Sequence, residues 1–112
     1  DNMHERKTRM SELAQGFIAI PGGAGTLEEI SEQWTWAQLG IHQKPCAFLN
    51  TDGFYDDLIK FIRMTTEKGF TKSRFTEALI ISDDLDDILR QFESYQPPEA
   101  KWGMVDQTDL VK

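Results

Sequence analysis

The chain is poor in cysteine, in proline, in long apolar runs and in positive charge, and each shortage narrows what it can be. Of 112 residues one is cysteine, Cys46, so no internal disulfide can form; in its apolar surroundings that thiol reads as a small buried hydrophobe. No apolar stretch approaches membrane-spanning length, and no signal peptide is visible. Lysine and arginine number 12 against 19 aspartates and glutamates, a formal net charge of -7. Such a surface repels nucleic acid but leaves room for a small phosphate held locally. With four prolines, 39% hydrophobic and 28% charged residues, the balance is that of one small globular domain. A reducing, cytoplasmic setting without membrane or nucleic-acid partners is expected.

What is present alternates. Phe17-Ile18-Ala19-Ile20, Pro45-Cys46-Ala47-Phe48-Leu49 and Ala78-Leu79-Ile80-Ile81 are continuous apolar runs of strand length, the mark of strands buried on both faces. Between and around them the spacing predicts helices. The first covers residues 3–15. A second starts at Thr26 and ends near Gly40, with Leu27, Ile30, Trp34, Ala37 and Ile41 on one face. A third covers residues 54–68, with Leu58, Phe61, Ile62 and Thr65 inward, and a last covers residues 84–95, with Leu85, Ile88, Leu89 and Phe92 inward. Residues 70–76 read as a loop or short helical turn. Helix and strand in turn predict an α/β fold, a parallel sheet with helices on both faces. Ligands of such sheets sit outside the carboxyl ends of the strands.

The feature at that place is Pro21-Gly22-Gly23-Ala24-Gly25-Thr26, which follows the first strand and opens a helix. Glycines there allow backbone conformations closed to other residues, and let a ligand approach main-chain N–H groups. The helix adds its free N–H groups and the positive end of its dipole. Thr26 adds a hydroxyl, and the whole is a cradle for phosphate. No lysine follows the last glycine, and the spacing is not that of the dinucleotide fingerprint, so the triphosphate loop is not supported.

Glu29 admits two readings. As the fourth residue of Thr26-Leu27-Glu28-Glu29 it completes a capping box, with Thr26 as N-cap. As a carboxylate beside a bound phosphate or sugar it can stabilise developing positive charge or orient a water. Arg6, Lys7 and Arg9 are the densest basic stretch, either a solvated helix face or a local anion site; His4 alone reads as a surface or capping histidine. Asp83, Asp84, Asp86 and Asp87 complement the dipole of the last helix rather than bind a metal.

Met3-His4-Glu5-Arg6-Lys7-Thr8-Arg9-Met10 together with Pro21-Gly22-Gly23-Ala24-Gly25-Thr26-Leu27-Glu28-Glu29 resembles the paired signature of the Lonely guy (LOG) family of cytokinin-activating phosphoribohydrolases, a group also called possible lysine decarboxylases. The segment Thr35-Trp36-Ala37-Gln38-Leu39-Gly40-Ile41-His42, the pair Lys44-Pro45 and residues 50–55 are similar as well, so the likeness runs from Met3 to about Pro97. It implies a Rossmann-like three-layer sandwich, a homodimer, and hydrolysis of the N-glycosidic bond of a nucleoside 5′-monophosphate to free base and ribose 5-phosphate. By the same resemblance Arg6 and Glu29 are the catalytic pair. Gly22, Gly23, Gly25 and Thr26 hold the phosphate, and Met3 and Lys7 line the nucleotide site, with neither cofactor nor metal. Decarboxylation would need a cofactor-bound lysine able to form a Schiff base, and nothing marks one. The family has a further N-terminal half that is absent here. Residues 1–97 are therefore expected to be the C-terminal part of one nucleotide-binding domain, stable only with that half or a partner, and residues 98–112 a polar, mobile tail. The alternative function is a binding module, such as a molybdenum cofactor carrier, which has a related glycine turn and needs no catalytic glutamate.

Overall fold

The computed structural model describes residues 15–100. The expected first helix, and with it Met3, Arg6 and Lys7, lies outside those residues. The remaining elements appear in the order anticipated. Strand β1 (Phe17–Ala19) leads through helix α1 (Ala24–Leu39) to strand β2 (Cys46–Leu49). A tight helical turn (Thr51–Gly53), helix α2 (Asp56–Glu67) and the short helix α3 (Ser73–Glu77) carry the chain to strand β3 (Ile80–Ser82), and helix α4 (Leu85–Glu93) follows. The strands are parallel in the order β1-β2-β3, with Phe17 opposite Cys46 and Ala47 opposite Ile80. Parallel neighbours need long crossovers, and the helices supply them.

Because side chains alternate along a strand, the continuous apolar runs serve two cores. On one face Ala19, Cys46 and Phe48 pack with Ile30 of α1 and Ile59 and Ile62 of α2. On the other, Ala47 and Ile80 pack with Ile88 of α4, and Ile18, Leu49, Phe92 and Tyr95 lie against them. The result is the three-layer α/β arrangement that the alternation predicts.

Helix periodicity located the helices better than their faces. Phe61, Leu85 and Leu89 are about half exposed rather than inward. The inward row of α2 is Ile59 and Ile62, and that of α4 centres on Ile88, which is fully buried. Leu58 and Phe92 do reach the core margins. In α1, Ile30 is buried while Leu27 is exposed, as is Ile41 just beyond the helix end. Trp34 is half-buried, and its indole N–H donates to the Phe75 carbonyl (3.1 Å), which ties α1 to α3. Gly40 ends α1 in the left-handed region at φ 80°, where its N–H and that of Ile41 satisfy the carbonyls of Ala37 and Trp36. Asp84 caps α4, its carboxylate accepting from the Asp86 N–H at 3.0 Å, which bears out the reading of that acidic cluster as helix-end chemistry. Beyond α4, the Glu99 carbonyl accepts from Arg74 Nε at 3.0 Å. No helix among the described residues is long and apolar enough to cross a membrane.

Candidate functional site

Helix α1 starts at Ala24, with Gly23 as its N-cap, and not at Thr26. The first intrahelical bond runs from the Leu27 N–H to the Gly23 carbonyl (3.1 Å). Thr26 is therefore already inside the first turn, and an N-cap must be non-helical, so the capping box of Thr26 and Glu29 does not form. No side chain caps this helix, and no acidic residue occupies its first turn. The N–H groups of Ala24, Gly25 and Thr26 precede the first intrahelical donor and have no carbonyl a turn below to receive them. After Pro21, which has no N–H, residues 22–26 thus present a row of backbone donors at the carboxyl end of β1, with the helix dipole behind them.

The glycines act differently from the first expectation. None of Gly22, Gly23 and Gly25 takes a positive φ; among the glycines described only Gly40, Gly53 and Gly69 do. At Gly22 a Cβ would run into the Thr26 side chain, so glycine lets the turn close onto that hydroxyl. At Gly23 and Gly25 a Cβ would meet nothing within 4 Å. Nothing among the described residues demands glycine at those two positions. Both are exposed, and Gly25 lies inside a helix, where glycine costs roughly 0.5–1 kcal/mol relative to alanine.

Thr26, Glu29, Ile30 and Gln33 recur at helical spacing and share the face of α1 turned to β1. With Glu32 and the strand residues Phe17, Ile18 and Ala19 they line a cleft of about 120 Å³. The glutamate freed from the capping box thus stands on the same cleft as Thr26 of the glycine turn. Gln33 is buried and its Oε1 has no hydrogen-bond partner. Sequence reasoning passed over Glu32 and Gln33, although their positions three and four residues beyond Glu29 would have placed them on the same side of the helix. Close by, His42 is buried with its ring 5.3 Å from that of Phe17, and its Nδ1 accepts from the Lys44 N–H (3.1 Å). Burial first, and then the Lys44 charge, hold this imidazole below its ordinary 6.5. Cys46 has the buried character expected of it, and burial pushes its thiol up to about 12.

Of the anticipated site residues, Gly22, Gly23, Gly25, Thr26 and Glu29 therefore fall together at one end of the sheet, while Met3, Arg6 and Lys7 lie outside the described residues.

Comparison with known proteins gives concordant matches. Residues 1–92 match the family described as possible lysine decarboxylase. A cytokinin riboside 5′-monophosphate phosphoribohydrolase of Oryza sativa subsp. japonica is 47% identical over 103 residues, covering 92% of this chain and 42% of its own length. Two proteins of the same description from Arabidopsis thaliana are similar. One is 40% identical over 116 residues, 98% of this chain and 54% of its own length. The other is 44% identical over 96 residues, 86% and 45% of the two chains. The chain thus spans about half the length of the curated relatives it matches.

Proposed function

The chain belongs to the possible lysine decarboxylase family, and we propose that the protein hydrolyses the N-glycosidic bond of a nucleoside 5′-monophosphate, a cytokinin riboside monophosphate or AMP, to free base and ribose 5-phosphate. The observation that carries this reading is the pair Gly23 and Gly25. They face open space at an uncapped helix start, with Thr26 and Glu29 on the adjoining cleft. Glycine without an internal reason, beside unreceived N–H groups, is what close approach of an anion requires.

In this reading the backbone N–H groups of residues 22–26 and the Thr26 hydroxyl hold the 5′-phosphate. Breaking the glycosidic bond builds positive charge on the ribose ring. Glu29, one helical turn from Thr26, stabilises that charge or orients the attacking water. Arg6 fixes the substrate and counters the charge on the departing base, while Met3 and Lys7 line the nucleotide site. The reaction needs neither metal nor organic cofactor. A non-catalytic carrier would need no carboxylate at this place, and Glu29 on the cleft favours the enzyme. The protein works as a cytoplasmic homodimer, with residues 1–97 as part of one nucleotide-binding domain and residues 98–112 as a polar tail.

The test is incubation of the protein with AMP and with an isopentenyl-substituted AMP, followed by chromatography for free base and ribose 5-phosphate. Release of both products from wild type, and loss of release in Glu29→Ala with the fold intact by circular dichroism, is the expected result. Release at the wild-type rate by Glu29→Ala would remove that residue from the mechanism.

A further inference from the structure

Strand β1 ends its ladder at Ala19, opposite Phe48, so the next carbonyl, that of Ile20, lies beyond the strand pairing. It accepts instead from the Tyr55 hydroxyl, at 2.5 Å across 35 residues of sequence. Ile20 immediately precedes Pro21, where the glycine turn begins. Tyr55 is 3% exposed. Its ring is set edge-on to Phe48 (5.0 Å between centroids) and perpendicular to Phe54 (4.9 Å). Its backbone is fixed as firmly. The Tyr55 N–H donates to Asn50 Oδ1 at 2.7 Å, and Asn50 Nδ2 donates to Asp56 Oδ1 at 2.8 Å. The turn between them uses left-handed backbone at Asp52 (φ 51°) and Gly53 (φ 73°). A rigid, side-chain-laced turn at the end of β2 thus reaches over and grips the end of β1.

We propose that Tyr55 is a positioning residue for the phosphate cradle: its hydroxyl fixes the Ile20–Pro21 peptide and so pre-aims the backbone N–H groups of the glycine turn. The proposal rests on the phosphate-holding reading of that turn. Among the described residues Gly23 and Gly25 have no packing neighbours in front of them, so little side-chain packing from those residues defines the shape of the turn. A backbone site aimed before the ligand arrives binds it without first paying to order the loop. Proline at position 21 passes the restraint on, because its φ is locked. Burial raises the Tyr55 phenol above its ordinary range, which keeps the proton that the carbonyl receives. Tyr55 acts on the turn and not on the reacting atoms, so its effect follows the phosphate and not the bond that breaks.

The experiment compares wild-type protein with Tyr55→Phe, which keeps the ring and deletes the hydroxyl. Steady-state hydrolysis of AMP and of adenosine is measured, along with competitive inhibition by inorganic phosphate. In Tyr55→Phe the KM for AMP and the inhibition constant of phosphate should rise together by about tenfold, the size of one lost neutral hydrogen bond. The kcat for AMP and the kcat/KM for adenosine should stay within about twofold. Unchanged KM and phosphate inhibition, in a wild type that hydrolyses AMP, would overturn the clamp and leave the nucleotide reading standing. Equal losses on AMP and adenosine would also overturn it, since a general packing defect acts that way. A wild type that neither hydrolyses AMP nor binds phosphate would overturn both. Should Tyr55→Phe fail to fold, Asn50→Ser, which loosens the same ring from its backbone side, is read by the same ratio and the same criteria.

Discussion

Two turns close the carboxyl ends of β1 and β2, and they are built in opposite ways. The turn after β2 is stitched by side chains. Asn50 binds both the Tyr55 N–H and Asp56, and Tyr55 reaches on to Ile20. Its glycine, Gly53, stands where φ is 73° and where a Cβ would strike Asp56, so both the backbone and its neighbours demand it. The turn after β1 has no side-chain cap, and two of its glycines, at ordinary φ, have no neighbour among the described residues within 4 Å of where a Cβ would stand. One turn spends its polar groups on itself and gains rigidity. The other leaves its N–H groups outward, the arrangement on which the proposed phosphate site rests. The same residue type thus serves stability in one turn and access in the other.

That contrast can be broken at several points. The largest effect is expected at the cleft itself. Glu29→Gln should lower kcat by about 10²–10⁴-fold, the usual share of a positioned carboxylate, with KM for AMP little changed. Steady-state assay of base release reads it. Next, Gly25→Val should raise the KM for AMP by about 10–100-fold, since the methyls occupy the space a phosphate oxygen needs. The milder Gly25→Ala should weaken phosphate binding in calorimetry yet raise thermal stability by roughly 0.5–1 kcal/mol, because alanine is the better helix former and meets nothing. Gly53→Ala should have the reverse sign, lowering stability by about 1–3 kcal/mol through left-handed strain and the encounter with Asp56, as denaturant melts would show. A stabilising Gly53→Ala, or a destabilising Gly25→Ala, would erase the distinction between the turns.

The smallest effect concerns pH. The His42 pKa is lower in the folded chain than its unfolded 6.5, so the unfolded state takes up a proton first as pH falls. Any stability that His42 contributes is fully present above 6.5 and is lost progressively below it, until the folded pKa is passed. Melting temperature measured from pH 8 to pH 5 should fall, and His42→Asn should flatten that fall. A profile equally steep in the variant would assign the dependence to other groups.

How far the sequence could be read depended on how local each interaction is. The apolar runs at residues 17–20 and 45–49 contain β1 (Phe17–Ala19) and β2 (Cys46–Leu49), whose side chains reach a core on each face, because a parallel strand flanked by helices needs no polar side and says so in its own residues. The strand end at Ile20 was not legible: the ladder stops at Ala19, and Ile20 is exposed. Nor was the orientation of α2. Periodicity allowed Phe61 inward with Ile62, but in the packed helix Ile59 takes the inner place, in one core with Ile62 and Tyr55, and Phe61 faces outward.

By itself, then, the sequence determined the order of strands and helices, the parallel sheet and the place of the glycine turn between β1 and α1, since spacing, turn residues and the glycine run act within a few neighbours along the chain. Tertiary structure alone decided that α1 begins at Ala24, that Glu29 leaves the helix cap for the cleft, and that Tyr55 grips Ile20. Those outcomes depend on which surfaces meet when β1, α1 and the turn after β2 pack together. A hydrogen bond spanning 35 residues leaves no periodic trace in the segments it joins.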